Sequence, residues 1–441
     1  MKRLICVLLF AALAMPTLAG CGATGDSTTA PTAEDAAPVE SENISTAPLS
    51  KTENAQPESD DASDTLLEEA PADGLPQRPQ QDSEASAPAA SNPSDGMPAP
   101  DQANASADPP KQTSETQANT TEPQPMVISQ ITTLESGFSS ASFSGDDGFE
   151  EFLSQGGASS DAEVTQFLAS KLLTDVAVNG GSFGCSTLAV SSPDGHRLFG
   201  RNFDWQACSA LVVTSKPTNG YASISTVNQG FISQSGGALG GALEQNDVRV
   251  LAALYAPLDG MNEKGLAVSV NMIQDSATIS QSTDKPDLTT TTAVRLLLNK
   301  AATVDEALAL LQEYDLHASM GMMIHFALAD AAGRAVVVEY IGNQMVVTET
   351  PVVTNFYLAE GAKHGIGTQQ SHERYDILTQ ALADHSTMTM EEVRDAMDSV
   401  SKDNFNEFES TEWTAVFDLS SGTAHYYHRE NYENRYTFSI G

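Results

Sequence analysis

The chain has few of the residues on which several common chemistries depend. Its 441 residues include 4 cysteines, 2 tryptophans, and 21 lysines and arginines against 59 aspartates and glutamates, for a net charge of −38. Binding to nucleic acid needs clustered Lys and Arg to neutralise phosphates, so this composition argues against a nucleic-acid partner. Beyond the N-terminal region only Cys185 and Cys208 remain, too few for a disulfide framework. A single Cys185–Cys208 bridge is an alternative that their placement on one predicted hairpin disfavours.

Histidine is also sparse, and its pattern offers neither a metal site nor a catalytic partner for cysteine. The eight histidines are scattered, and the one close pair, His425 and His428, faces opposite sides of a predicted strand. His325 lies in an apolar run and is expected in the core or on a sheet face. We therefore expect no metal and no cofactor.

The N-terminus is typical of an export signal. Lys2 and Arg3 precede an apolar run over 4–14, which is too short to span a membrane. The sequence Leu18-Ala19-Gly20-Cys21 resembles the lipobox of bacterial lipoproteins, in which the cysteine is acylated and becomes the new N-terminus. This predicts a signal peptide at 1–20 and a lipid anchor on Cys21, facing outside the cytoplasm. An ordinary secretory signal is the alternative.

The segment 21–126 is expected to be a disordered tether. It is rich in Ala, Ser, Thr, Pro and acidic residues, and residues 22–125 hold 20 Asp and Glu against 3 Lys and Arg. Such a composition buries too little apolar surface to offset the entropy of ordering. A ligand-binding tail is the less favoured interpretation, and folded structure is expected from 127 to 441.

Periodicity predicts an α+β architecture for the folded part. A helical segment at 127–184 is expected to contain helices at 148–154 and 161–173, followed by the breaker Asn179-Gly180-Gly181. Strands are predicted at 185–190, 197–203, 248–255, 265–272, 322–329, 335–340, 344–348, 414–419, 424–427 and 436–440. Helices are predicted at 288–300, 304–314, 372–383 and 390–400. This order favours layered antiparallel sheets with helices outside.

One hairpin carries the residues that suggest chemistry. Cys185 stands at its open end, and Arg201 and Asp204 lie opposite in Gly200-Arg201-Asn202-Phe203-Asp204-Trp205. A cysteine nucleophile reacts as the thiolate, which needs a base or a nearby positive charge.

These residues resemble the opening of the choloylglycine hydrolase family, which includes bile salt hydrolases, penicillin V acylases and acid-ceramidase-like relatives. The resemblance continues in order through further blocks: Gly260-Met261-Asn262-Glu263-Lys264-Gly265-Leu266, Val270-Asn271, Val353-Thr354-Asn355 and Ser371-x-x-Arg374-Tyr375. It implies an N-terminal-nucleophile (Ntn) hydrolase with an αββα sandwich of two antiparallel sheets between helical layers, and a catalytic domain at 185–441.

The resemblance also implies roles for six residues. Cys185 would be the nucleophile, with its own α-amine as general base, because an α-amine titrates near neutral pH. Arg201 would lower the pKa of the thiol, and Asp204 would orient the α-amine and balance that charge. Asn271 and Asn355 would line the oxyanion hole, and Arg374 would stabilise the charges around the cysteine.

Plainer interpretations stay open for each residue. The alternatives are an inert buried thiol for Cys185, a surface ion pair for Arg201 and Asp204, turn residues for the two asparagines, and a helix-face charge for Arg374. The block 261–265 is expected to be a structural turn, and Cys208 a packed thiol.

A free α-amine at Cys185 requires a cut after Gly184. This arrangement resembles that of the acid-ceramidase-like relatives, which release the nucleophile by cutting the bond before it, and makes 127–184 a pro-segment or small subunit. The expected partners are a small-molecule amide and, through Cys21, a lipid membrane, with a homo-oligomer left open. Acyl transfer through the same acyl-enzyme, and a binding module that lost activity, are the rival functions.

Overall fold

The structure, a computed structural model, describes residues 126–172, 176–178, 183–234, 245–402 and 409–441. Four predictions lie outside these residues: the signal peptide, the lipidation of Cys21, the tether 21–126 except for its last residue, and the breaker Asn179-Gly180-Gly181. Within them, no helix is both long and apolar enough to cross a membrane.

Two large sheets organise the described residues. Sheet 1 has ten strands: β1 Val127–Ile128, β2 Thr132–Glu135, β3 Phe138–Gly145, β7 Ala210–Pro217, β8 Ser223–Asn228, β10 Asp259–Asn262, β11 Ala267–Met272, β14 Ile324–Ala329, β15 Ala335–Ile341 and β16 Gln344–Glu349. Sheet 2 has six: β17 Val352–Val353, β5 Gly184–Ser191, β6 Arg197–Trp205, β18 Ser410–Asp418, β19 Thr423–His428 and β20 Tyr436–Ser439. Two small ladders complete the strands: β4 Val176–Val178 with β9 Ile232–Gln234, and β12 Asp287–Thr289 with β13 Asp315–His317.

Helices cover the outer face of each sheet. The α-helices are α1 Phe149–Ser154, α2 Asp161–Leu172, α3 Gln245–Tyr255, α4 Thr290–Lys300, α5 Val304–Leu311, α6 Gln369–Asp384 and α7 Met390–Asp398. Helices α3 and α4 contact sheet 1, whereas α6 and α7 contact sheet 2. The order of layers is therefore helix, sheet, sheet, helix, which confirms the predicted αββα class.

Alternation along the strands of sheet 2 separates two cores. Phe199 and Phe203 of β6 face sheet 1 and belong to the larger core, while Leu198 faces the helices and packs in a second core with Val393 and Met397 of α7. Successive side chains of a strand point to opposite faces, so one strand serves both cores. The same alternation decides which residues of the hairpin can meet.

Two predictions about elements need correction. Residues 248–255 form part of helix α3, not a strand. Residues 248–255 of this helix are apolar except for Arg249, since this part packs against sheet 1, α2 and α4, and so the polar stripe that would mark a helix is missing from it. The segment 127–184, which was predicted to be helical, also contains the strands β1, β2, β3 and β4.

The segment before Cys185 is built into sheet 1. Strand β3 pairs in parallel with β7 over its whole length, from Phe138 opposite Ala210 to Gly145 opposite Pro217. Phe138 and Phe143 are buried in the larger core. The serine-rich sequence of β3 has weak β propensity, which explains why the pattern did not predict it.

Candidate active site

The six side chains singled out by the motifs converge around the first residues of β5, and all are buried. They are Cys185 on β5, Arg201 and Asp204 on β6, Asn271 on β11, Asn355 two residues after β17, and Arg374 on α6. The structure therefore brings all of the predicted residues together, and the surface alternatives for Arg201, Asp204 and Arg374 do not fit their burial.

Cys185 presents its two reactive atoms to different partners. Its backbone N–H donates to Asn355 Oδ1 at 2.8 Å, and its Sγ lies 3.5 Å from the carbonyl oxygen of Val270. Burial raises the pKa of the thiol to about 11, and the nearby Arg201 guanidinium only partly opposes that rise. The expectation that Arg201 favours the thiolate is right in direction, but desolvation outweighs it, so the thiol needs a base at neutral pH.

Arg201 is paired with a carboxylate that the motifs did not single out. Its Nε donates to Asp259 Oδ2 at 3.1 Å, and Trp413 Nε1 donates to the same oxygen at 3.0 Å. Both charged groups are fully buried. Burial raises the pKa of Asp259, and Arg201 opposes that rise. Asp259 directly precedes the block Gly260-Met261-Asn262, which was the available signal.

Asp204 does not balance Arg201, and this part of the sequence interpretation is wrong. Residues three apart on a strand point to opposite faces, so Arg201 faces sheet 1 and Asp204 faces the helices. Asp204 Oδ2 accepts from Arg374 Nη1 at 3.1 Å and lies 3.9 Å from Lys402 Nζ. Its Oδ1 accepts from Thr411 Oγ1 at 2.8 Å. Lys402 is buried and also pairs with Glu409.

Arg374 ties the strand of the nucleophile to the loop that carries Asn355. Its Nη1 donates to the carbonyl oxygen of Cys185 at 2.9 Å and to Ser186 Oγ at 2.6 Å. Its Nη2 donates to Asn355 Oδ1 at 2.7 Å. A single guanidinium thus holds the main chain of Cys185, the carboxylate of Asp204 and the amide of Asn355 in one network.

The two asparagines are fixed by the main chain around them. Asn355 Nδ2 donates to the carbonyl oxygen of Met272 at 2.6 Å, while Asn271 Nδ2 makes a longer bond of 3.4 Å to the carbonyl oxygen of Val353. Because its hydrogen bond is longer, the side-chain N–H of Asn271 is more available to another acceptor than that of Asn355. A donor to an oxyanion needs an available N–H of this kind.

Gly184 is confined by charged side chains. A Cβ on this residue would lie 2.9 Å from both Asp204 Oδ2 and Lys402 Nζ. Only glycine fits without a shift in the network.

The remaining candidates have structural roles. Asn262 donates to the carbonyl oxygens of Leu298 and Ala301 and accepts from the amides of Lys264 and Leu266, which confirms the predicted turn.

Cys185 and Cys208 are both free thiols and form no disulfide with each other. Among the described residues, no group of three or more His, Cys, Asp or Glu side chains is arranged to hold a metal.

Aromatic side chains connect the strand partner of Cys185 to the lining of a large cavity. Phe183 is buried, with ring centroids 5.4 Å from Phe203 and 6.1 Å from Trp205. Trp205 and Phe231 line a cavity of about 1170 Å³, whose lining also includes Cys208 and Arg249 but none of the six converging residues. Phe183 therefore contacts both Phe203, the partner of Cys185, and the residues that line the cavity.

The described residues form the αββα sandwich that the resemblance to Ntn hydrolases implies. Residues 254–433 match the model of the family described as acyl-coenzyme A:6-aminopenicillanic acid acyl-transferase. The match agrees with the resemblance that the motifs indicate, but it covers less than half of the chain and begins after Cys185, Arg201 and Asp204. No curated protein sequence matches the chain significantly.

Two solved structures were found to be similar in fold. A mutant of the conjugated bile acid hydrolase from Clostridium perfringens has 17% identity and a TM-score of 0.43, covering 58% of this chain and 92% of that chain. Penicillin V acylase from Agrobacterium tumefaciens has 17% identity and a TM-score of 0.43, covering 58% of this chain and 86% of that chain.

Proposed function

We propose that the chain is a cysteine Ntn enzyme that cuts itself between Gly184 and Cys185 and then cleaves a linear carboxamide. The observation that carries the proposal is the contact of the Cys185 nitrogen with Asn355 Oδ1 at 2.8 Å. That nitrogen is the atom that would become the α-amine, and its acceptor is already in place. The polar contacts of the thiol in the described residues are the Val270 carbonyl and the Arg201 guanidinium, neither of which is a base.

The self-cleavage reaction balances with water as the only added reactant. Cys185 Sγ attacks the carbonyl carbon of Gly184, the carbon–nitrogen bond breaks, and the leaving nitrogen takes up the thiol proton and becomes a free amine. Water then hydrolyses the thioester, which leaves a carboxylate on Gly184 and restores the thiol. Asp204 and Arg374 lie beside the new amine and the nucleophile's main chain, where they would orient both.

Turnover then uses the new amine as general base. The amine takes the thiol proton, Sγ attacks the amide carbonyl of the substrate, and the leaving amine receives the proton. Asn271 Nδ2 is the donor we assign to the oxyanion, since its bond in the uncut chain is weak. Water or a second amine resolves the thioester, so hydrolysis and acyl transfer share this intermediate.

Processing also explains the position of Phe183. In the uncut chain its ring lies against Phe203, the strand partner of Cys185, and contacts the residues that line the cavity. Release of the Gly184 end would let this ring move away. The substrate is then an N-acyl amine, a conjugated bile acid or a penicillin V-type amide.

The test combines the state of the chain with turnover. Residues 185–441 are 257 of the 441 residues of a 46.5 kDa chain, so the C-terminal piece should be about 27 kDa and begin Cys-Ser-Thr-Leu. Intact mass and N-terminal sequencing measure both. Processed protein would then be assayed with phenoxymethylpenicillin, a glycine-conjugated bile acid and an N-acyl amine.

Acyl transfer is the second candidate, and the family match over 254–433 is the observation that favours it. An acyl-coenzyme A with 6-aminopenicillanic acid as acceptor is the corresponding probe. Transfer yields an N-acylated acceptor, whereas hydrolysis yields a free acid. Fully active protein that migrates as one uncut chain would refute the α-amine mechanism, and uncut protein without turnover would favour a binding module.

We further propose that the enzyme works outside the cytoplasm, held to a membrane by acylated Cys21. The support is the signal-like start, the lipobox-like Leu18-Ala19-Gly20-Cys21 and the acidic segment that follows. The test is whether the wild-type protein is found in the membrane fraction and the Cys21→Ser protein in the soluble exported fraction.

A further inference from the structure

A row of three polar side chains crosses sheet 1 behind the candidate site. Asn271 on β11 is directly paired with His325 on β14, and His325 Nδ1 lies 3.0 Å from Glu339 Oε1 on β15. All three side chains are fully buried. Burying a histidine and a carboxyl group inside a sheet costs desolvation free energy. The position of His325 and Glu339 next to Asn271 therefore points to a role at the candidate site.

The row contacts the segment 353–359 at four points, and its short bonds come from His325 and Glu339. Asn271 donates to the carbonyl oxygen of Val353 at 3.4 Å, and His325 Nε2 donates to that of Thr354 at 2.8 Å. Glu339 accepts from the amides of Leu358 at 2.9 Å and Ala359 at 2.6 Å. Asn355 lies between these points, so the row fixes the loop on both sides of it.

The partners of His325 also fix the orientation of its ring. The carbonyl oxygen of Thr354 can only accept, so Nε2 carries a proton and donates to it, while Nδ1 faces the Glu339 carboxyl. Burial opposes ionisation of Glu339, but the hydrogen bond and charge of His325 and the two backbone amides lower its pKa below the ordinary value. Asn271, on the other side of the ring, is neutral, and beyond the segment Lys363 pairs with Asp275.

We infer that His325 and Glu339 are positioning residues, a buried histidine–carboxylate pair that holds Asn355 against the nitrogen of Cys185. The catalytic consequence rests on the proposed function, but the positioning itself does not. The pair touches neither Cys185 nor a substrate, and acts through the main chain of the segment 353–359.

Hydrogen exchange with mass spectrometry tests the positioning in full-length protein. His325→Leu removes the donor to Thr354, and exchange in peptides covering 353–359 should become about tenfold faster or more. His325→Gln keeps an N–H that reaches the same carbonyl and should restore much of the protection. His425→Leu is the matched control, because this half-buried histidine lies on β19 in sheet 2. Unchanged protection of 353–359 in His325→Leu overturns the inference.

The hydrogen bond from His325 to Thr354 has its own measurement. In protein labelled with ¹⁵N-histidine, the signals that disappear in His325→Gln should include a protonated Nε2, because the Thr354 carbonyl can only accept. An unprotonated Nε2 in the wild-type protein contradicts the inference. This readout stands even where His325→Leu fails to fold.

The rate of self-cleavage gives the catalytic readout. His325→Leu should slow the cut at Gly184–Cys185 by about tenfold to a hundredfold, as expected when a reacting group is slightly displaced, and His325→Gln should restore part of it. If the wild-type chain is never cut, the proposed function fails while the exchange result still decides the positioning. If protection is lost and the cutting rate stays unchanged, the catalytic part of the inference is refuted.

Discussion

Replacing Gly184 with alanine tests the site at the bond that we propose is cut. The new Cβ would lie 2.9 Å from Lys402 Nζ and 2.9 Å from Asp204 Oδ2. Lys402 can withdraw, because the contact is with the far end of a flexible side chain. Asp204 cannot, because Thr411 and Arg374 hold its carboxylate at 2.8 and 3.1 Å.

The size of the effect follows from that difference. Overpacking of this kind costs about 1–3 kcal/mol. If displacement of the Asp204 carboxylate raises the activation free energy of self-cleavage by the same amount, the cut slows by about 5- to 150-fold, at about 1.4 kcal/mol per factor of ten. The assay is the fraction of cut chain against time after refolding, measured by intact mass.

Gly200→Ala is the matched control on the neighbouring strand. Its Cβ would lie 2.8 Å from Val393 Cγ1 and 3.0 Å from Met397 Cγ, so it crowds the apolar core between sheet 2 and α7 instead of the charged network. We expect it to lower the melting temperature without slowing the cut. If Gly184→Ala is cut at the wild-type rate, the confinement of this residue has no bearing on the reaction.

Three further predictions address the nucleophile, its charge and the anchor. Cys185→Ala should leave the fold intact by circular dichroism but abolish both self-cleavage and amide turnover; wild-type turnover in this variant would rule out the mechanism. Arg201 lowers the pKa of Cys185 from what burial alone would give, so Arg201→Gln, combined with Asp259→Asn to avoid an unpaired buried carboxylate, should shift the pH profile of self-cleavage upward. An unshifted profile would exclude that electrostatic role. Cys21→Ser should move the protein from the membrane fraction to the soluble exported fraction, and unchanged partition into detergent would refute the anchor.

The sequence allowed the positions of the candidate site to be predicted because each sits in a local motif. Cys185, Arg201 and Asp204 share one hairpin, Asn271 lies near the end of a predicted strand, and Asn355 lies two residues after β17. Their convergence from separate elements, implied by the family resemblance, is what the structure contains.

The pairing of charges could not be predicted in the same way. Asp259 meets Arg201 across the gap between two sheets, and Lys402 meets Asp204 from a segment about 200 residues away. Such contacts depend on which face of a strand each residue occupies and on how the sheets are stacked. No local pattern encodes either, and so Asp204 was assigned to balance the wrong arginine.

Buried elements were the other source of error. Residues 248–255 of helix α3 were interpreted as a strand because they are apolar except for Arg249 and so show no polar stripe at helical spacing. His325 was predicted as a core or sheet-face residue, which its full burial confirms, but its partner Glu339 lies on the next strand and was not singled out.

The parallel pairing of β3 with β7 has a consequence for the behaviour of a processed enzyme. A cut at Gly184–Cys185 would divide sheet 1 between two chains, with Phe138 and Phe143 on one and Leu211 and Val213 on the other, inside one core. Unfolding would then release two molecules instead of one. The melting temperature should rise with protein concentration after processing but not before it, and dilute processed enzyme, once denatured, should recover slowly because its halves must first find each other.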